Sequence, residues 1–248
     1  MSSFIPLWQR ETGACFRTSI AYTVGVFFLV LTGSAFWMLT GRLAAGEIEG
    51  TLTEAFFSSQ WFWLAMLLLG SMLTMRLFAE EIRLGTLEML MGAPVTETEV
   101  VLSKFASAGT VFVLLWLPTL AYPAVARWCG IDLPPPAPGE VASAYLGVLL
   151  LGAFFLSAGL FCSLLTKHQM VAAMLGFGAM GAWVSGGLLT SRISPEGQSA
   201  LARALSAPLH MRDFAGGILD TRTIVLYLSA TVLLLFCSIR LLEARRLR

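Results

Sequence analysis

The chain has 248 residues, of which 57% are hydrophobic and only 12% charged. Soluble domains carry about 25% charged residues, so this composition and a mean hydropathy of +0.79 make lipid the main solvent. A formal net charge of +1 excludes a bulk electrostatic attraction to nucleic acid.

Residues 3–18 mix Phe4, Leu7 and Trp8 with Arg10, Glu11 and Arg17, the pattern of a helix lying on a membrane surface. The first span is expected over about residues 19–40, uncharged between Arg17 and Arg42 and long enough to remain as an anchor rather than a cleaved signal. A loop with Glu47, Glu49 and Glu54 leads to a second span over about residues 59–78, opened by the interfacial Trp61 and Trp63.

The segment Arg76–Thr96 lies between two long apolar runs yet holds five of the thirty-one formally charged residues. Leu84, Leu87 and Met91 fall at i, i+3 and i+7, with Glu80, Glu81, Arg83 and Glu88 on the polar side. This predicts a short amphipathic helix at the membrane surface, stopped by Gly92 and Pro94. Thr96 and Glu99 form a Thr-x-x-Glu capping box that starts the next helix.

The third span is expected over about residues 98–127, with Pro118 and Pro123 kinking its outer half. The stretch from Asp132 to Gly139 is too rich in proline for a helix and predicts a stiff turn. A fourth span covers about residues 141–166, and the short Lys167-His168-Gln169 connection leads into a fifth over about residues 169–190. Its Gly176, Gly178, Gly181, Gly186 and Gly187 predict close helix approach. Residues 194–219 read as a pair of short outer or re-entrant helices, starting at Ser194-Pro195 with Leu201, Leu205 and Leu209 on one face. Asp220 caps the sixth span, about residues 221–243. With both termini inside, ten lysines and arginines lie on inner segments and six on outer ones, which places the Arg76–Thr96 segment in the cytosol.

Several chemistries are excluded. Cys15, Cys129, Cys162 and Cys237 lack zinc-type spacing and read as buried or interfacial apolar side chains, and no metal ligand set is expected. The span cores hold no ionisable group of the kind an ion-coupled carrier needs. The two histidines, His168 and His210, fall at a span end and in a loop, away from any paired nucleophile. A P-loop needs Gly-Lys followed by Ser or Thr, whereas Lys104 follows Ser103 and Lys167 follows Thr166. Any ATP energy must therefore come from another chain, and this one is not expected to be an enzyme.

The run from Met75 to Glu81, then Gly85-Thr86-Leu87-Glu88-Met89-Leu90 and Pro94-Val95-Thr96, resembles the signature loop of ABC-2 transporter permeases. Within them the gliding-motility and copper-maturation permeases are most similar. Weaker matches are Lys104-Phe105, Tyr145-Leu146-Gly147, Gln169, and His210, Phe214, Gly216, Asp220 and Tyr227 near the end. The resemblance covers nearly the whole chain as one membrane domain, 1–248.

It implies an all-α integral membrane fold of six transmembrane helices, with an N-terminal interfacial helix and short outer helices before the last span. It also implies pairing with a second permease subunit, homo- or heterodimeric, and binding of a cytosolic ABC ATPase dimer that carries ATP and Mg. A periplasmic or membrane accessory protein is compatible with it, and the location implied is the cytoplasmic (inner) membrane. The loop with Glu80, Glu81, Arg83, Gly85, Thr86 and Glu88 would be the coupling helix, its acids pairing with basic groups of the ATPase.

Each of these residues has a plainer reading. Glu80, Glu81 and Glu88 also fit a solvated acidic turn, Arg76 a snorkelling anchor and Gly85 a helix boundary. Lys167 fits a loop anchor or a second ATPase contact, His210 a loop hydrogen-bonding group, and Met170, Met174 and Met180 packing rather than copper ligation. Two functions compete: a permease coupling ATP hydrolysis to export or mechanical work, and a non-transporting scaffold that recruits an ATPase to drive outer partners.

Overall fold

The computed structural model describes residues 4–48, 50–91, 95–129, 137–193 and 205–246, and their regular structure is helical throughout. In chain order it comprises α1 (Phe4–Arg17), α2 (Ser19–Ala44), α3 (Leu52–Phe57), α4 (Gln60–Thr74), α5 (Ala79–Leu84) and α6 (Thr86–Met91). There follow α7 (Glu97–Trp116), a 3-10 turn (Leu117–Ala121), α8 (Tyr122–Trp128), α9 (Pro138–Leu165), α10 (Gln169–Ile193), α11 (Ala207–Ala215) and α12 (Thr221–Arg246). Among the described residues six stretches are long and apolar enough to cross a membrane: α2, α4 continued through α5, α7 continued through α8, α9, α10 and α12.

The bundle is built around α9, which packs against α4, α7, α10, α11 and α12. It carries no charge after Glu140 and has no polar stripe, so neighbours can cover it on several sides. The helix begins earlier than its prolines suggest. Pro138 and Gly139 form its first turn rather than a loop, because proline at the start of a helix gives up an N–H that would be unpaired there anyway. The rest of the proline-rich stretch, residues 130–136, lies outside the described residues.

In the third span Pro118 and Pro123 each open a new segment, so the expected kink takes the form of a 3-10 turn and the short α8. The Thr96–Glu99 capping box forms reciprocally and starts α7. Around Trp116, at the far end of α7, Phe28, Phe57, Phe62, Phe112 and Tyr145 make an aromatic core with ring centroids 5.0–6.5 Å from the indole.

Some expectations give way. The loop holding Glu54 contains α3, capped by the Thr51 hydroxyl. Of the glycines of α10, Gly187 meets its neighbours closely and Gly176 makes ordinary contact with Gly159, whereas Gly178, Gly181 and Gly186 have open space around them. In the segment before the last span α11 buries Ala207, His210, Met211 and Phe214, not the face carrying Leu205 and Leu209. Its Leu201 and the expected Ser194-Pro195 start lie outside the described residues. Among the cysteines Cys129 is exposed and Cys162 buried, while Cys15 and Cys237 are half-buried.

The break between α4 and α5 positions the candidate site. Phe78, at the head of α5, has no side chain able to cap the first turn. The backbone N–H groups of Phe78 and Ala79 instead donate to Ser163 Oγ on α9, both at 3.1 Å. The same hydroxyl donates to the Met75 carbonyl at 3.3 Å, so one side chain joins the end of α4 to the start of α5. One turn earlier on α9, Gly159 lets Thr74 and Met180 come so close that a Cβ would sit 2.9 Å from Thr74 Cβ and 3.0 Å from Met180 Cε.

Candidate functional site

The segment expected as one amphipathic helix is two. Gly85 adopts φ 70°, ψ 7°, and its N–H bonds back to the Glu81 and Ile82 carbonyls, so α5 ends there and α6 starts at Thr86. An L side chain rarely takes that conformation, which is why glycine stands at the bend. The bend also splits the expected apolar face: Leu84 is 61% exposed while Leu87 is buried. Gly92 and Pro94 lie outside the described residues.

The acidic side chains of α5 are engaged inside the chain. Arg76 grips Glu80 with two hydrogen bonds, Nε to Oε2 at 2.9 Å and Nη2 to Oε1 at 3.1 Å. The Gln169 side chain, at the start of α10, also approaches that carboxylate. Glu81 Oε1 accepts from Lys104 Nζ at 2.7 Å, and the same ammonium donates to Glu11 Oε2 at 3.0 Å. Arg10 closes the row on Glu11 Oε1 at 2.6 Å. Signs alternate along Arg10, Glu11, Lys104 and Glu81, so each charge has an opposite neighbour. Lys104 is only 2% exposed and sits 5.3 Å from the centroid of the Phe78 ring.

This row joins three elements that are far apart in sequence: α1 through Glu11, α5 through Glu81 and α7 through Lys104. Side chains further along α1 reinforce the joint, with Trp8 Nε1 donating to Thr110 Oγ1 at 3.2 Å and Thr12 Oγ1 to Ser107 Oγ at 3.3 Å. The first helix is therefore docked on α7 and does more than lie on lipid.

Burial raises the Glu11 carboxyl, but the charge of Lys104 and the hydrogen bonds from Arg10 and Lys104 outweigh it and hold the group below its ordinary value of 4.5. A depressed carboxylate stabilises the folded form above its unfolded value, and that stability is lost as pH falls through the folded one. Amide exchange in α1, corrected for intrinsic rate, should therefore be unchanged from pH 8 to pH 6 and rise only below about 4.5.

Lys104 is the principal residue that its sequence context hides. It lies at the start of the third span, just before the uncharged run, and only its place two turns inside a helix hinted that it needed carboxylates nearby. The remaining candidates face outward: Arg83, Thr86, Lys167 and His168 are exposed, as are the apolar Leu84, Met89 and Met170. Glu88 lies on α6, with its side chain outside what is described. Because α5 touches α10, the two turns form one face of the bundle.

His210 and Asp220 belong to the opposite face. His210, on α11, shares a 3.2 Å hydrogen bond between Nδ1 and the Tyr227 hydroxyl of α12. Asp220 Oδ1 accepts from the Arg222 N–H at 2.9 Å, in the geometry of a helix N-cap. Among the described residues no group of three or more His, Cys, Asp or Glu is placed to hold a metal ion.

No match is found among curated proteins. The family model described as "ABC-2 family transporter protein" matches residues 53–191, more than half of the 248 residues. That range begins in α3 and ends in α10, so it holds α4, the braced α5–α6 pair, Lys104 and the Ser163 junction. With six helices fit to cross a membrane and this match over most of them, the chain belongs to the ABC-2 family of transporter proteins and is a multi-pass membrane permease.

Proposed function

We propose that this permease couples ATP hydrolysis on a separate cytosolic ABC ATPase dimer to export or mechanical work, with α5 and α6 as the lever that receives the force. The observation carrying this reading is the brace at Lys104. A short element tied by charge to α1 and α7, and by Ser163 to α9, passes a push on its exposed side to three parts of the bundle together. Rigid packing favours such transmission over local deformation.

The inward pairing of Glu80 and Glu81 changes the expected chemistry of contact. The surface offered to the ATPase is basic and apolar, made by Arg83, Leu84, Thr86 and Met89 with Lys167 beside them. Aliphatic and Met side chains fill a cleft, and Arg83 and Lys167 suit an acidic rim. The excess of lysine and arginine on this side supports a cytosolic placement of both termini in the cytoplasmic membrane.

A second permease subunit is supported by α10. Gly178, Ala182 and Gly186 lie at i, i+4 and i+8 on its exposed side, the spacing that lets two helices approach in lipid. The loop motifs favour the gliding-motility and copper-maturation subgroup.

In the test, the permease is purified from native membranes and its ATPase is followed by co-purification and by ATP hydrolysis. Arg83→Glu combined with Met89→Asp should abolish co-purification. Glu81→Gln should retain the ATPase and lower the stimulated hydrolysis, since it weakens the brace without touching the outer face. Undiminished association in the double variant would overturn the reading.

A further inference from the structure

Between α1, α2, α4, the 75–78 turn, α5 and α7 lies a cavity of about 450 Å³. One end is charged, with Arg10, Arg76 and Lys104 facing Glu11, Glu80 and Glu81, so basic and acidic groups balance. The other end is apolar, walled by Val24 of α2, Met72 and Leu73 of α4 and Val111 of α7. Lys104 and Val111 are seven residues apart on one helix, so the two ends are separated by about 10 Å along the span. A void that is polar at the surface end and apolar toward the middle of the membrane has the layout of one lipid in its leaflet.

The hydrogen bonds left unused specify the headgroup. Arg76 commits Nε and Nη2 to Glu80, and Arg10 commits Nη2 to Glu11, which leaves further guanidinium N–H groups of both for a phosphate. Glu81 lines the same charged end, and its Oε1, which accepts from Lys104, keeps a second lone pair for another donor. A charged N–H donor suits such an oxygen best.

We propose that this cavity binds an aminophospholipid of the leaflet on the α1 side, its phosphate on Arg10 and Arg76, its primary ammonium on Glu81 and one acyl chain along Val24, Leu73 and Val111. A headgroup with a phosphate alone meets three carboxylates with no cation to offer them. A choline headgroup carries its charge without an N–H to donate. Bound there, the lipid bridges α1, the lever and the first two spans, so it adds to the brace that the charge row makes. This site does not depend on which ATPase the lever meets.

The test uses the full-length protein in detergent, titrated with short-chain phosphatidylethanolamine, phosphatidylcholine and phosphatidylglycerol and read by native mass spectrometry. Phosphatidylethanolamine should bind about tenfold more tightly than either of the others. Ala14→Trp, which fills the cavity from an exposed position of α1, should remove binding of all three. Glu81→Gln should keep binding and reduce the preference over phosphatidylcholine to about twofold or less, since the neutral amide replaces the carboxylate that selects the ammonium. Equal affinity for the three lipids, or binding undiminished in Ala14→Trp, overturns the proposal. So does glycerophosphoethanolamine binding as tightly as the lipid, since the apolar wall would then contribute nothing.

Discussion

Lys104→Met is expected to release α1 from the bundle and to destabilise its docked state by about 3 kcal/mol, the low end of the range for removing one partner of a buried ion pair. Two carboxylates lose their shared cation, which is why the effect should exceed that of any surface charge in the chain. The low end applies because Glu81 and Glu11 retain 20% and 15% exposure, so water can partly take over their solvation. Arg10 also remains on Glu11.

Cys15 supplies a native reporter of this release, since it lies on α1 and is half-buried. Its alkylation, quantified by mass spectrometry against that of Cys129, should accelerate by about a hundredfold, the opening that 3 kcal/mol produces. Adding Glu11→Gln and Glu81→Gln to Lys104→Met should recover much of the docking, because a neutral buried cluster avoids the stranded charges. Unchanged Cys15 labelling in the single variant would mean that the charge row does not hold α1.

The second large effect is expected at Gly159. Valine there would place its Cβ against the Thr74 hydroxyl and its methyls into Met180, at a contact where α4 and α9 leave no room. Overpacking of this kind costs about 1–3 kcal/mol by itself. It should also lift the end of α4 from Ser163, stranding the Phe78 and Ala79 N–H groups at about 1–3 kcal/mol for each unpaired donor. Thermal denaturation in detergent should occur at markedly lower temperature, with proteolytic cleavage appearing in the 75–91 segment. Gly41→Val, at an exposed position of α2 with open space around it, should leave both readouts unchanged. Equal effects at the two positions would show that the α4–α9 junction has no special role.

Local signals in the chain are legible wherever they depend on neighbours in sequence. The uncharged runs of span length mark the six membrane helices because lipid tolerates no unpaired backbone and few charges. Thr96 and Glu99 specify a helix start from three residues of spacing, and Pro118 and Pro123 specify a break from the missing N–H. The polar segment after the second span is equally plain as an interruption between apolar runs. Its internal bend was visible as Gly85, but nothing nearby distinguished a boundary from a residue inside a single short helix.

What fails to appear locally is the direction in which each charge of that segment points. Glu80 and Glu81 are adjacent acids on a surface turn, and an outward partner and an inward one leave the same pattern of letters. Lys104 lies twenty-three residues from Glu81 and ninety-three from Glu11. Ser163 caps a helix eighty-four residues away. Such distances carry no periodicity, so no spacing rule can find them.

By itself, then, the order of amino acids determined the class of molecule: how many times it can cross lipid, where the helices start and bend, and which segment stands apart from the apolar spans. Only the tertiary structure decided that this segment is a bent pair of helices with Glu81 locked inward on a buried lysine. The reason is energetic. A lysine placed out of water must find carboxylates, and the packing of α1, α5 and α7 around one point is what brings them within 3.0 Å.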